Sequence, residues 1–351
     1  MRDFVFEAKL PRVVFGAGAL RKLPDEVDAL AAKRVLVLST PGQAASAQHI
    51  VELLGLRAAG VFTQAAMHVP ADTARAACDE AARLAADCAI AIGGGSTTGL
   101  GKAIALTTGL PVIAVPTTYA GSEMTTMYGL TEGGGKTTGR DPRVLPRTVI
   151  YDPELSLGLP FATTVVSMIN AIAHAAEGLY APDANPVIDL LAEQGIARGA
   201  AALPRLQQAP RDLEARGDAL AAAWLCGIVM GHITVGLHHK LCHTLGGFGL
   251  PHAELHTVIL PHALAYNAQA APQAMARIAA ALGSTSAPGG VFDLAQRHGA
   301  PTSLAAIGMK ADDLARAAEM AVKNQYPNPR ALERGALRTL LRNAFDGTRP
   351  D

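Results

Sequence analysis

Over the first 150 residues, short β-rich apolar runs alternate with Ala-rich stretches. The runs "RVLVLST" (34–40), "GVFTQ" (60–64), "CAIAIGGGS" (88–96), "PVIAVPTT" (111–118) and "RTVIYDP" (147–153) predict strands. Between them, segments such as "ADTARAACDEAARLAAD" carry helical periodicity and good helix formers. That alternation predicts a mostly parallel sheet covered by helices on both faces. After Pro153 the strand signals stop, and from about 155 to 346 the chain reads as Ala/Leu-rich helix punctuated by Gly and Pro turns. Two domains are expected, an α/β domain over 1–154 and an all-α domain over 155–351.

Composition narrows the function classes. The 351 residues carry 30 Lys and Arg against 30 Asp and Glu, with no basic run, so a nucleic-acid partner is not expected. Cys78, Cys88, Cys226 and Cys242 show no CxxC spacing, which predicts free thiols in a reducing compartment. The opening "MRDFVFEAKLPR" places charges where a secretory signal needs an apolar core, and a cytoplasmic location is expected. "ALAAAWLCGIVMGHITVGL" (219–237) is nearly long enough to cross a bilayer, yet it contains His232 and runs into His238, His239 and Lys240. It reads as an interior helix of a soluble bundle, not as a membrane span.

Three stretches of the first domain carry candidate chemistry. In "AIAIGGGSTTGLGKAI" (89–104) a buried strand enters three glycines and then a helix. Gly93, Gly94, Gly95, Ser96 and Thr97 would let a pyrophosphate approach the backbone and the helix N-terminus, although a tight turn has the same look and the spacing is not GxGxxG. "PTTYAGSEMTTMYGL" (116–130) clusters Thr117, Thr118, Ser122 and Thr125 at a strand's carboxyl end, where open α/β sheets bind ligands. "GGGKTTGRDPRVLPR" (133–147) brings Lys136, Arg140, Arg143 and Arg147 together, as a solvated turn or as an anion site. The first strand ends in Ser39 and Thr40, where an NAD-selective enzyme would place a carboxylate on the ribose; use of both NADH and NADPH is expected.

The second domain holds the histidines. Seven of the eleven fall between 232 and 262. His239 and His243 are one helical turn apart, and "GGFGLPH" makes a turn that would return His252 towards them. "SMINAIAHAAEG" (167–178) adds Asn170 and His174, four residues apart on another helix. Together they have the form of a metal site with an amide in the carboxylate's place.

These motifs carry a resemblance over essentially the whole chain. "VVFGAGAL", "GGGSTTGLGKAIAL", "PTTYAGSEMT", "NAIAHAAE", "HKLCHTLGGFGLPHAE" and "YPNPR" resemble the iron-containing alcohol dehydrogenase superfamily. The block "TEGGGKTTGRDPRVLPRTVIYDPEL" points within it to the maleylacetate reductase branch. The resemblance implies a Rossmann-like α/β domain followed by an all-α domain. It implies NADH- or NADPH-dependent reduction of the carbon–carbon double bond of maleylacetate to give 3-oxoadipate in aromatic catabolism, with loss of halide from chlorinated substrates as a side capacity. A homodimer is the family expectation. In metal-dependent members an Asp and three His hold Fe²⁺ or Zn²⁺, and those positions fall on Asn170, His174, His239 and His252. A further His of the reacting centre falls on His243, and the Asp of GGGSxxD falls on Gly99. Three neutral imidazoles and an amide offer a cation no negative charge, so no tightly bound metal is expected. His243 is expected to act as donor or acid; were it structural, the proton would come from Tyr326 or water. His174, His239, His252 and Asn170 would hold substrate oxygens, and Lys136 and Arg140 would pair a carboxylate. The competing readings are a metal-dependent alcohol dehydrogenase of the same superfamily, a dehydroquinate-synthase-like lyase, which usually keeps a richer carboxylate and lysine set, and a catalytically silent nucleotide sensor.

Overall fold

The chain divides into two compact units, Lys9–Leu159 and Pro160–Asp351, the latter joined by the N-terminal stretch up to Ala8. The sequence places the break after residue 154. The computed structural model describes residues 3–133, 135–323 and 325–351, and of Lys136 the backbone alone.

In the first unit the strands are β1 (Arg12–Phe15), β2 (Val35–Leu38), β3 (Ala58–Phe62), β4 (Cys88–Gly93), β5 (Val112–Pro116), β6 (Met127–Glu132), β7 (Gly135–Arg140) and β8 (Thr148–Tyr151). Six of them form one sheet in the order β1-β8-β5-β4-β2-β3, every neighbouring pair parallel. Its helices are α1 (Leu23–Ala29), α2 (Ala44–Leu54), α3 (Ala71–Arg83) and α4 (Gly95–Thr108).

Side-chain alternation along each strand builds two apolar layers. Val35, Val37, Ile90 and Ile92 pack on one face with Val27 and Ile50 of α1 and α2. Leu36, Leu38, Ala89 and Ala91 pack on the other with Ala77, Leu100 and Ile104 of α3 and α4. The small residues of that second face allow a close helix: a Cβ at Gly101 would already lie 3.2 Å from Ala91 Cβ and Val112 Cγ1.

From β2 the chain moves outward to β3, then returns to the other side of β2 for β4. The strand order therefore reverses between β2 and β4, and the carboxyl ends of these two strands flank the crevice where open α/β sheets bind ligands.

Two features depart from the sequence-based expectation. β1 is an additional edge strand, too short to stand out as an apolar run. β6 and β7 form an antiparallel hairpin, with Met127 opposite Arg140 and Thr131 opposite Lys136, where the sequence suggested a polar loop and a basic turn. The alternation of Thr, Gly and charged residues in β7 leaves it without an apolar face that would announce a strand.

The second unit contains α5 (Phe161–Gly178), α6 (Pro186–Gln208), α7 (Leu213–Gly231), α8 (Leu237–Gly246), α9 (His252–Asn267), α10 (Pro272–Leu282), α11 (Ala287–Arg297), α12 (Leu314–Ala321) and α13 (Arg334–Asp346). Caps set several boundaries: Asn185 accepts from Val187 and Ile188 N–H, Asp212 from Ala215 N–H, and Ser286 from Gly289 N–H. From Thr164 onward α5 is buried all round, as a central helix must be. The apolar run 219–237 is interrupted, because α7 ends at Gly231 and the His232 ring turns back to bond Ile228 O at 2.8 Å. Among the described residues no helix is long and apolar enough to cross a membrane.

Candidate active site

The histidine cluster is assembled around one carboxylate. On α5, Asn170 and His174 stand one turn apart, and Glu177 follows three residues later, all buried. Glu177 reaches the start of α8, where it accepts from Gly236 N–H at 2.8 Å and His238 N–H at 2.7 Å. Those are amides that the helix cannot satisfy itself. The same carboxylate accepts from His239 Nδ1 at 2.6 Å. Since a carboxylate only accepts, His239 carries its proton on Nδ1 and turns a bare Nε2 into the cluster. The backbone packs closely at Gly236: a Cβ there would lie 3.1 Å from Pro327 O and 3.3 Å from Glu177 Oε1. Glu177 stands inside the quoted motif "NAIAHAAE", and its spacing from His174 was the only signal that could have marked it.

A second pairing holds His256 of α9. Its Nδ1 lies 2.8 Å from His238 Nε2, with Cys242 Sγ 3.7 Å from the same nitrogen. The 2.8 Å separation is a hydrogen bond, too short for two ligands of one tetrahedral ion with bonds of about 2.0–2.1 Å. His238 therefore orients His256 as Glu177 orients His239. The rings of His174 and His239 stack at 5.3 Å, and His239 and His256 meet edge-on at 5.3 Å. Burial, reinforced by neighbouring imidazoles, pushes His174, His238 and His256 well below the ordinary histidine range, so these rings are neutral at pH 7.

The resemblance implied the set Asn170, His174, His239 and His252. The structure places ring nitrogens of His174, His239 and His256 within 4.8 Å of one another, which adds His256 to the residues of that set. His252 is half-buried at the start of α9, its ring 4.4 Å from that of His256. His256 is one helical turn beyond His252, a spacing the sequence contained and the expectation passed over.

His174 Nδ1, His239 Nε2, His256 Nε2 and Asn170 Oδ1 are all buried without a hydrogen-bond partner among the described residues. Buried polar atoms are seldom left so, and the grouping of His174, His239 and His256 marks a site for a polar ligand. A shared divalent ion is geometrically within reach of the three nitrogens. The donor set nevertheless lacks the anion of the family's iron site, since the carboxylate position holds Asn170 and Glu177 is engaged with His239 and the α8 amides. These residues do not fit a tightly held Fe²⁺, whose usual protein sites include a carboxylate.

Beside the buried cluster, His243 Nδ1 and Tyr326 OH lie 3.0 Å apart. The segment "YPNPR" is fastened by paired amides: Asn267 Nδ2 donates to Asn328 Oδ1 at 3.0 Å, and Asn328 Nδ2 donates to Asn267 Oδ1 at 2.7 Å. Burial, and then the charge of Glu177, raises Tyr326 above the ordinary phenol range. Both expected proton sources thus belong to one hydrogen-bonded pair.

In the α/β unit the glycine turn is a cradle. Gly93 has φ +150°, and a Cβ on it would lie 2.5 Å from both Gln43 Oε1 and Thr97 Oγ1. Gln43, which the sequence did not mark, bridges strand ends by donating from Nε2 to Thr117 Oγ1 at 2.7 Å and accepting from Thr40 Oγ1 at 3.4 Å. Gly95 and Ser96 open α4 at the surface, and Thr118 is half-buried nearby. A Cβ at Gly94 would come within 3.1 Å of the Thr118 side chain.

The expected cofactor residues differ in their exposure. Ser39 and Thr97 are fully buried with unpartnered hydroxyls, which leaves Thr40 as the accessible residue at the end of β2. Thr125 is equally buried, its hydroxyl donating to Ser122 O and accepting from Lys102 Nζ. Ser122 Oγ is buried without a partner.

Lys102, also unmarked, is buried on α4 and donates to Ser122 O, Thr125 O, Thr125 Oγ1 and Met127 O at 2.6–2.9 Å. It clips the hydroxyl loop to the helix of the glycine turn. Of the basic run, Arg140 is exposed at the end of β7, and the Lys136 side chain lies outside the described residues.

Comparison with known proteins places this geometry. The family described as "Iron-containing alcohol dehydrogenase" matches residues 11–153, and "Fe-containing alcohol dehydrogenase family, C-terminal" matches residues 164–345. The chain is 66% identical to a maleylacetate reductase of Burkholderia cepacia over 351 residues, all of both chains. It superposes on the crystal structure of maleylacetate reductase from Agrobacterium tumefaciens with a TM-score of 0.96 at 52% identity, covering 100% of each chain. An iron-containing alcohol dehydrogenase from Corynebacterium glutamicum is similar at 39% identity and a TM-score of 0.94, with 99% of this chain and 98% of that one covered.

Proposed function

The chain belongs to the iron-containing alcohol dehydrogenase family, and from that premise we propose that it reduces maleylacetate to 3-oxoadipate with NADH or NADPH. The names of its full-length relatives support this substrate, and the cluster of neutral, partner-seeking side chains supports the chemistry.

The α/β unit fits the dinucleotide. The glycine cradle and the first turn of α4 suit a pyrophosphate, and Thr40 offers the ribose no carboxylate that would repel a 2′-phosphate. When bound, the reduced nicotinamide supplies a hydride.

The substrate double bond is conjugated to a ketone, so hydride arriving at the far carbon moves the electron pair onto the ketone oxygen as an enolate. A proton then adds at the neighbouring carbon, and the sum of hydride and proton gives the saturated product. The His243–Tyr326 pair serves as hydrogen-bond donor to the enolate and as proton source, the observation that carries this reading being its 3.0 Å bond beside the buried cluster. Asn170, His174, His239, His252 and His256 orient substrate oxygens. Arg140 and Lys136 are lesser candidates for a carboxylate. No tightly bound metal takes part, on the ground of Asn170 in the carboxylate position. A cytoplasmic homodimer with four unbridged cysteines accompanies the proposal.

A second reading, a metal-dependent alcohol dehydrogenase, draws on the three ring nitrogens within 4.8 Å. One experiment separates the two. The protein is mixed with NADH and maleylacetate, loss of reduced nicotinamide is followed, and the reaction is repeated after exhaustive chelation. Stoichiometric 3-oxoadipate with and without chelator supports the reductase. Oxidation of simple alcohols that depends on added metal, with no turnover of maleylacetate, favours the second reading.

A further inference from the structure

A dicarboxylate bound among neutral rings needs a cation, and the helical unit provides one that the sequence did not single out. Lys240 follows His239 on α8 and precedes His243 by three residues, so it flanks the face carrying both. It is half-buried, and its ammonium lies over the Tyr326 ring, 5.4 Å from the centroid. The hydroxyl of that ring is the group bonded to His243 Nδ1. Lys240, Tyr326 and His243 thus form one continuous edge of the histidine cluster.

Most other cations of this unit that are drawn into structure are matched by acids. Arg277 meets Asp189 and Glu193, Arg349 meets Asp293, and Arg205 meets Asp212, Glu214 and Asp218. Lys240 has no acidic partner among the described residues. Partial burial of an ammonium without a counterion is unfavourable unless an anion is brought to it.

We propose that Lys240 is the cation that pairs with one carboxylate of the substrate, held beside the proton-donating pair by the Tyr326 ring, and that it makes the helical unit select dianions. This rests on the reading of the substrate as maleylacetate. The ammonium is a compact donor that reaches a carboxylate as a point charge, and its contact is present in ground and transition states alike. It is therefore a specificity determinant, not a proton donor.

Lys240→Met and Lys240→Arg are compared with the unaltered protein by turnover of maleylacetate and by calorimetric binding of adipate and hexanoate, which share a six-carbon chain but differ in charge. Losing one charge-assisted contact should raise KM for maleylacetate and Kd for adipate by about 10-fold or more in Lys240→Met. kcat and KM for NADH should change by less than about 3-fold, as expected for loss of uniform binding. The preference for adipate over hexanoate should collapse, and Lys240→Arg should restore most of it. A folded Lys240→Met protein with unchanged KM, adipate affinity and adipate preference overturns the proposal, as does failure of the unaltered protein to prefer adipate. If the unaltered protein prefers adipate yet does not turn over maleylacetate, the reaction assignment fails, while the adipate arm still decides the role of Lys240.

Discussion

Tyr326 and His243, 83 residues apart in the chain, share a hydrogen bond of 3.0 Å. It joins a loop beyond α12 to the second turn of α8, and it couples two groups each able to carry a proton. Acting as a unit, they should not contribute additively. His243→Ala should lower kcat and kcat/KM together by ~100-fold or more, the range typical of general acid–base groups. Tyr326→Phe should cost less, about 10-fold, and the double variant should be little worse than His243→Ala alone. Steady-state kinetics with circular dichroism as folding control measures this. Fully multiplicative losses would show that the two groups work independently.

Glu177 fixes the tautomer of His239 and caps α8 at once. In Glu177→Gln the amide can still accept one backbone N–H, yet it no longer presents a carboxylate to Nδ1. Partners of this kind typically contribute 10–100-fold, so kcat should fall by about that factor, with KM for NADH unaffected. Glu177→Asp should fall between. A Gln variant of full activity would mean that the orientation of His239 does not matter to the reaction.

Asn170 decides the metal question. Turnover of maleylacetate should survive dialysis against a chelator, and elemental analysis should find well under one Fe or Zn per chain. Asn170→Asp should gain affinity for a divalent ion through the restored anion, read by metal titration. Tight stoichiometric metal in the unaltered protein, with activity lost on chelation, contradicts the expectation.

At the end of β2 the accessible side chain is Thr40, since Ser39 is buried, and the proposed function sets it at the ribose. NADH and NADPH should give kcat/KM values within about tenfold of each other. Thr40→Asp should depress kcat/KM with NADPH by ~10-fold or more relative to NADH, because only one cofactor brings a phosphate to that carboxylate. Equal losses with both cofactors would place the ribose elsewhere.

Burial lowers the Lys102 ammonium to about 7, with the nearby Glu123 charge opposing and the Arg140 charge adding to the shift. Between that value and the unfolded pKa of about 10.4, the unfolded chain holds a proton the folded chain lacks, so stability rises with pH. From pH 7 to pH 8 the unaltered protein should gain up to about 1 kcal/mol from this group, read by urea unfolding. Lys102→Met, less stable throughout, should lack that gain. The comparison stays below pH 8 because Cys88 is pushed up to about 12, and thiols freed by unfolding ionise above about 8.5. Equal pH slopes in the two proteins would show Lys102 to be fully protonated in the fold.

The alternation of β-rich and Ala-rich runs determined the parallel sheet and its helical cover, because apolar periodicity is a local property of the chain. The glycines at 93–95 and the helical pair His239 and His243 were legible for the same reason: each depends on spacing within one element. Tertiary structure decided the rest. His256 joins the ring-nitrogen group because α9 begins at His252 and carries the next turn inward. Glu177 and Lys102 draw their roles from partners on other segments, 59–62 and 20–25 residues away respectively, which no local pattern encodes. The burial of Ser39, Thr97 and Thr125 was likewise not legible along the chain, because strand and helix packing set it. A residue's type was written in the sequence; its burial and its partner followed only from the packing of elements distant in the chain.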